Sequence, residues 1–379
     1  MTLVVDIHAL QSVPPSLINR DDTGAPKSAI FGGVARQRVS SQSWKRAIRR
    51  YFEENFDAET IGDRSRRLPE KIAKLLEEKG VDQAEAVARV ESLFKQAGIK
   101  VAMDKPSKKN EEADEDPASA IYPRTSYLLF LSQQQINRAA EALLSSEGEK
   151  LSKAEAKKIL DKDHSVDMAM FGRMVADDAA YNVDAAVQVA HALGVHASAP
   201  EFDYFTAVDD LAEEGEETGA GMIGTVQMMS STLYRYATVD VEGLAKNLGS
   251  EEAAKEAVPH FIDAFIKSMP TGKINTFANQ TLPELVYVTI RDTRPVSLVN
   301  AFETAVEAKE NTDRREVAAE RLAKEAADVR DVYGFTPIAS YVLGLGGLEE
   351  KFADVAERVT LPTLAEKVAA DLESKLGEK

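Results

Sequence analysis

The chain has 379 residues, a formal charge of −17 and no cysteine, which excludes disulfides, iron–sulfur clusters, thiol catalysis and cysteine-ligated zinc. Its 44% hydrophobic and 29% charged residues read as a soluble globular protein of roughly two or three domains. No apolar run approaches the roughly 20 residues of a membrane span, and Met1 to Leu10 lacks a basic leader, so a cytoplasmic protein without a membrane partner is expected.

In chain order, Leu3 to Leu10 alternates loosely around Val5, Ile7 and Ala9 and reads as a buried strand. Gln11 to Gly33, rich in Pro, Asn, Asp and Gly, reads as a long irregular loop, a kind of segment that often carries function. A helix is predicted from Ser41 to about Asn55, and helical composition continues from Glu59 to Gly98. Met103 to Ser119 is charged and poor in apolar residues and is expected to be a mobile loop. Tyr122 to Leu131 is strand-like, with helices following to Leu160. Val166 to Met174 and Ala185 to His196 read as extended.

Ala197 to Gly221 is acidic and Gly-containing, and Met222 to Val239 returns to β patterning, so two strands joined by a projecting hairpin or loop are expected. Glu251 to Met269 reads as a helix and Leu285 to Arg291 as a strand. Val299 to Tyr333 reads as a long charged helix or helix pair, and Leu364 to Leu376 as a last helix. Strands scattered between helical insertions, without an internal repeat, indicate an α+β fold.

The charge is unevenly placed. Thr23 to Tyr51 holds Lys27, Arg36, Arg38, Lys45, Arg46, Arg49 and Arg50 and no acidic residue, so the rest of the chain carries −24. Such an island gathers phosphates even on an acidic protein. At 100° per residue Gln42, Lys45, Arg46 and Arg49 share one helix face, and Trp44, Ile48, Tyr51 and Phe52 the opposite one. The alternative is a solvated helix face, which is what most charge runs are.

Other chemistry is sparse. Asp21 and Asp22 could hold a metal and activate water for phosphodiester cleavage, or simply form an Asx turn or a subunit contact. His8, His164, His191, His196 and His260 have no zincin spacing. Gly344-Leu345-Gly346-Gly347 lacks the lysine of a phosphate loop and reads as a turn.

Three segments near the N-terminus carry a family resemblance: Ile18-Asn19-Arg20-Asp21-Asp22, Ala29-Ile30-Phe31-Gly32-Gly33, and Arg38 through Ser40, Gln42 and Trp44 to Ala47. With Gly172-Arg173-Met174, Phe205 to Leu211 and Tyr234-Arg235-Tyr236-Ala237, they resemble the CasC family. These are the repeated backbone subunits of type I-E CRISPR surveillance (Cascade) complexes. Order and spacing agree over most of the chain, more weakly over about 60–160 and in the C-terminal helices.

The resemblance implies an RRM-like (ferredoxin-like) palm with an inserted helical fingers domain and a β-hairpin thumb. The implied divisions are 1–58, 161–192 and 225–300 for the palm, 59–160 for the fingers, 193–224 for the thumb and 301–379 for a C-terminal helical region. It implies a non-catalytic subunit without a cofactor, stacked on copies of itself along CRISPR RNA, with other Cascade subunits and guide-paired target DNA as partners. Lys27, Ser40, Gln42, Lys45, Arg46 and Arg49 would grip the RNA backbone, with Arg20 beside the groove. Met174, Phe205, Thr206, Val208 and Ile223 would press on bases at a kink. The family has lysine where this chain has Arg49, a fork in place of a point charge. From 201 to 218 there are many carboxylates and no Lys or Arg, so the thumb can wedge or stack but cannot clamp phosphate. Related type III backbone subunits cleave RNA, which keeps a metal-dependent endoribonuclease using Asp21 or Asp22 as the alternative.

Overall fold

The computed structural model describes residues 3–103, 121–146, 148–207, 222–307 and 313–377. Most of the loop expected over 103–119, the acidic stretch 208–218 and Val208 therefore lie outside the described residues. The chain forms two compact units: Met1–Tyr51 with Gln188–Val241 and Lys255–Lys379, and Phe52–Val187 with Glu242–Ala254.

The first unit opens with β1 (Val4–Ser16), β2 (Ser28–Phe31), β3 (Val34–Val39) and α1 (Ser41–Asn55). The region read as a loop is thus strand at its two ends, over 11–16 and in β2, and irregular between them. β1 runs on to Ser16 past a register irregularity between Val13 and Ser16, where Pro14 and Pro15 need no ladder donors. β2 and β3 pair antiparallel across Gly32-Gly33, whose φ angles of 56° and 77° are those a two-residue primed hairpin turn requires. The Gly-Gly pair was the available signal for that hairpin.

The second unit contains β4 (Gly62–Ser65), α2 (Leu68–Glu78), α3 (Gln83–Ala97), β5 (Val101–Ala102), β6 (Arg124–Thr125), β7 (Leu129–Ser132), α4 (Gln133–Ser145), α5 (Lys153–Asp161) and α6 (Val166–Phe171). Its core joins Ile72 and Leu76 of α2, Val90 and Phe94 of α3, Ile136 and Leu143 of α4 and Leu160 of α5. Capping boxes start α4 at Ser132 and α5 at Ser152. α6 corrects the strand expected over Val166 to Met174. Short apolar runs do not distinguish the two states, and here Ser165 precedes a turn that Gly172, at φ 79°, closes.

The remaining elements are β8 (Val187–Val189), β9 (Ala192–Gly194), β10 (Glu201–Ala207), β11 (Met222–Asp240), α7 (Val241–Leu248), α8 (Glu251–Lys267), α9 (Ile274–Phe277), β12 (Leu285–Arg291), α10 (Arg314–Tyr333), β13 (Ala339–Gly344), β14 (Glu357–Arg358) and α11 (Leu361–Gly377). Val299–Phe302 is a single 3-10 turn, so the long helix expected from Val299 is confined to α10. The main sheet has the order β14-β13-β12-β1-β11-β9-β3-β2. Its centre, β12-β1-β11-β9, is antiparallel throughout, with α1 following β1 and α8 following β11. That is the split βαβ order of a ferredoxin-like fold, as expected.

Both faces of this sheet are covered, which is why Leu3 to Gln11 are all buried and the strand shows little alternation. On one face Arg235 packs against Trp44 of α1 and Phe265 of α8. On the other, Leu10, Tyr234, Tyr236 and Tyr287 pack against Ala318, Leu322 and Ala326 of α10. RNA-recognition motifs stack bases on aromatics of such a sheet face. Here those rings are sealed under α10, so any nucleic acid must be held elsewhere. Among the described residues no helix is long and apolar enough to cross a membrane.

Candidate nucleic-acid interface

The basic island is spread over the segment before β2, over β3 and over α1 of the first unit. The Lys27 N–H donates to the Asn19 carbonyl and the Arg38 N–H to the Lys27 carbonyl, each at 2.9 Å. The Asn19 side-chain oxygen accepts the Ser40 N–H at 2.9 Å. Asn19, Lys27, Arg38 and Ser40 are therefore tied side by side by backbone geometry. The Ser40 hydroxyl and carbonyl both accept from the Ser43 N–H, at 3.4 and 3.0 Å, and so start α1.

Along α1 the predicted phasing is found. Trp44, Ala47, Ile48 and Phe52 are buried, Gln42, Arg46 and Arg50 are exposed, and Lys45 and Arg49 are half-buried. Burial, aided by the neighbouring Arg49 charge, lowers the Lys45 pKa. An arriving phosphate reverses that penalty by supplying the missing counter-charge. Among the described residues Lys27, Arg38 and Arg46 meet no carboxylate within ion-pair distance.

Two members of the island behave differently from the rest. Arg36 is wholly buried: its guanidinium donates to the carbonyls of Gly194 at 3.0 Å, Phe302 at 3.2 Å and Glu303 at 3.1 Å. It fastens the β2–β3 hairpin to the chain after the 3-10 turn and leaves the patch one cation smaller. Arg38 stays at the surface, its Nε donating to the Ser28 carbonyl at 3.3 Å and its Nη1 to His191 Nδ1 at 3.1 Å. Arg20 is exposed at an isolated bridge with Pro26, just ahead of Lys27.

Asp21 has the bland structure. Its Oδ1 accepts from the Thr23 N–H at 2.9 Å, the Thr23 hydroxyl at 2.7 Å and the Ala25 N–H at 3.0 Å, an Asx turn. Those bonds, the Thr23 hydroxyl foremost, hold its carboxyl below the usual range. Among the described residues no group of three or more His, Asp or Glu is arranged to hold a metal ion.

The expected hairpin is β10 with the first part of β11, in the register Phe202↔Gln227, Tyr204↔Thr225, Phe205↔Gly224 and Thr206↔Ile223. Successive residues point to opposite faces. Thr206 and Ile223 therefore share a face, and Phe205 lies on the other. The Phe205 ring covers Gly224, where a Cβ would come within 2.4 Å of it. The face of Thr206 and Ile223 also carries Phe202 and Tyr204, which are 70% and 62% exposed. These two aromatics were missed from sequence, although the alternation Phe202-Tyr204-Thr206 was there to be read. Val208 is outside the described residues. Met174, in the second unit, is 81% exposed. It follows Arg173, which is buried and donates to Tyr181 O at 2.8 Å, Leu160 O at 3.0 Å and an Asp161 carboxylate oxygen at 2.9 Å.

A family model described as "CT1975-like protein" matches residues 5–367. The chain belongs to the CT1975-like family. A solved structure described as "CRISPR RNA-guided surveillance complex, pre-nicking" holds a similar chain of 35% identity, covering 97% of this chain and 100% of that one with a TM-score of 0.83. A second, described as "CRISPR RNA-guided surveillance complex", is 31% identical over 97% of this chain and 99% of the other, with a TM-score of 0.72. Comparison with curated proteins gives no match. This CT1975-like chain thus shares its α+β fold over nearly its whole length with chains of RNA-guided surveillance complexes.

Proposed function

We propose that this chain is the repeated, non-catalytic backbone subunit of a type I-E CRISPR surveillance complex. It holds CRISPR RNA by its sugar–phosphate chain and leaves base edges free to pair with target DNA. The observation that carries the reading is the edge formed by Lys27, Arg38 and Ser40 together with the face of Gln42, Lys45, Arg46 and Arg49 on α1. Its donors come from loop, strand and helix, which suits a phosphate chain rather than one anion. Such a grip on the sugar–phosphate chain would be indifferent to sequence. Specificity then falls to base pairing.

The type I-E assignment rests on the N-terminal motifs, and the similar chains of surveillance complexes support the partners. Copies of the chain would stack along the RNA with their hairpins at intervals along it, and other Cascade subunits would cap the array in the cytoplasm. Met174, Phe205, Thr206, Val208 and Ile223 are proposed to meet the kinked bases, with Arg20 beside the groove. The endoribonuclease alternative is weakened because Asp21 spends one carboxylate oxygen on its own turn.

The test is a Lys45→Ala/Arg49→Ala double variant titrated with single-stranded RNA of mixed sequences. Affinity should fall evenly across sequences, and the salt slope should flatten by ~0.7 for each phosphate no longer neutralised. Unchanged affinity and unchanged assembly on guide RNA would refute the patch. Cleavage of complementary RNA by the assembled complex with magnesium, abolished in Asp22→Ala, would instead favour the endoribonuclease.

A further inference from the structure

His191 stands at the end of the basic edge and takes no part in any role assigned so far. Its position is fixed from both sides: the Ala190 N–H donates to the Tyr236 carbonyl at 2.9 Å, and Ala192 and Leu193 pair with Val39 and Arg38. The ring is exposed, yet its Nδ1 lies 3.1 Å from Arg38 Nη1. A guanidinium has donors only, so Nδ1 must accept and the ring proton must sit on Nε2. A second proton on Nδ1 would oppose the Arg38 donor. Partial burial and the charges of Arg38 and Lys27 push in the same direction, keeping the ring neutral. Arg38 is itself steadied by the Ser28 carbonyl, so the ring is held at a stated tautomer by a cation that is already oriented. Nε2–H meets no acceptor among the described residues.

We propose that His191 is a further RNA-contacting residue, a neutral Nε2–H donor to a phosphate or ribose oxygen of the strand lying along Lys27, Arg38 and Ser40. The inference rests on the RNA-binding reading above and deepens it. Arg38 acts through the ring as well as by charge: it is the positioning residue that decides which nitrogen faces the ligand. A neutral donor placed among cations adds a directional hydrogen bond without adding to their mutual repulsion.

The test uses the full chain labelled with ¹⁵N-histidine and a mixed-sequence single-stranded RNA oligonucleotide. With five histidines in the chain, the His191 resonances are assigned by their absence in His191→Gln. The expected result is an Nε2–H tautomer before RNA is added and a shift of His191 on binding. His260, exposed on α8, should not move. His191→Ala should lose about three- to tenfold in affinity, the scale of one hydrogen bond, and His191→Gln, which keeps a donor, should recover most of it. Histidine signals at 191 that stay unchanged while RNA binds, or an Nδ1–H tautomer, overturn this inference alone. Wild-type chain that binds no RNA overturns it together with the proposed function.

Discussion

The guanidinium carbon of Arg235 stands 3.7 Å from the centre of the Trp44 ring and 4.3 Å from that of Phe265. Arg235 lies on β11, Trp44 on α1 and Phe265 on α8, so this one side chain couples both helices to the sheet. Its Nη1 donates to Gln11 Oε1 at 2.6 Å and its Nη2 to the Phe265 carbonyl. Burial lowers its pKa to about 9, still well above neutral, so the group remains a cation. The basic face of α1 is therefore held in place from behind by a buried charge.

The first prediction concerns that anchor. Trp44→Ala removes a fully buried indole and should cost about 3–5 kcal/mol in urea unfolding. A double-mutant cycle of Trp44→Leu with Arg235→Met should return a coupling of about 2 kcal/mol, the value for a desolvated cation–π pair. Additive losses would mean that the two side chains merely share a core.

A second prediction is pH-dependent. His8 is buried on the sheet face under α10, with Nδ1 2.8 Å from the Tyr234 hydroxyl. That hydroxyl also accepts the Leu298 N–H at 3.0 Å, and the His8 tautomer sets which of the two side chains donates between them. Burial, with Arg291 adding to it, holds the His8 pKa at about 3 against 6.5 unperturbed. Between those values the unfolded chain binds a proton that the folded chain refuses, so stability falls as pH falls. The contribution is complete above pH 6.5 and is lost at up to about 1.4 kcal/mol per pH unit below it. His8→Gln keeps an acceptor for Tyr234 and cannot titrate, so the wild type should lose stability faster than this variant between pH 6 and 4. Asp6, raised by its own burial, works in the opposite sense and is common to both chains. Parallel stability curves would show that His8 titrates normally.

Gly32 and Gly33 offer a contrast within one turn. A Cβ at Gly32 would sit 1.6 Å from the Glu303 carbonyl oxygen, which is also an acceptor for Arg36, whereas a Cβ at Gly33 would meet open space. Both residues have positive φ, which costs an L-residue about 1–2 kcal/mol. Gly33→Ala should lose only that amount. Gly32→Ala should lose clearly more, because the hairpin must move off the chain at 303. Equal melting temperatures for the two variants would refute the close approach.

What the sequence disclosed depended on the range of the signal. The face of Gln42, Lys45, Arg46 and Arg49 was legible because helical phasing is local and charge is counted directly. Arg36 looked identical to its neighbours in sequence. Its burial is decided by carbonyls at 194, 302 and 303, more than 150 residues away, which no local pattern encodes. The strand over 28–31 was hidden because Gly and Pro suggest loops as readily as hairpins. The α6 segment did not declare itself because six residues, five of them apolar, are too few to show a period. The four aromatic and histidine positions at 8, 234, 236 and 287 alternate as strand residues should, but only the fold reveals that α10 closes over them.

The hairpin gives the last prediction, and it separates stability from assembly. Phe202 and Tyr204 are largely exposed on one face, so truncation removes almost no packing within the chain. Phe202→Ala/Tyr204→Ala should therefore change the unfolding free energy by no more than about 0.5 kcal/mol per site. In the filament reading, the same face meets RNA or a second copy, and exposed aromatic area of this kind is worth about 1–3 kcal/mol per stacked base. Assembly on guide RNA should accordingly weaken at least tenfold while thermal melting of the isolated chain stays put. Gly224→Val is the opposite experiment: its side chain collides with the Phe205 ring on the other face, so hairpin geometry changes while both exposed aromatics remain. If assembly depends on the aromatic face held in the observed register, both variants should fail to form long complexes, but only Gly224→Val should alter the β signal of the isolated chain. Normal assembly by the Phe202/Tyr204 variant would remove this face from the interface and leave the opposite one, with Phe205, as the surface to test.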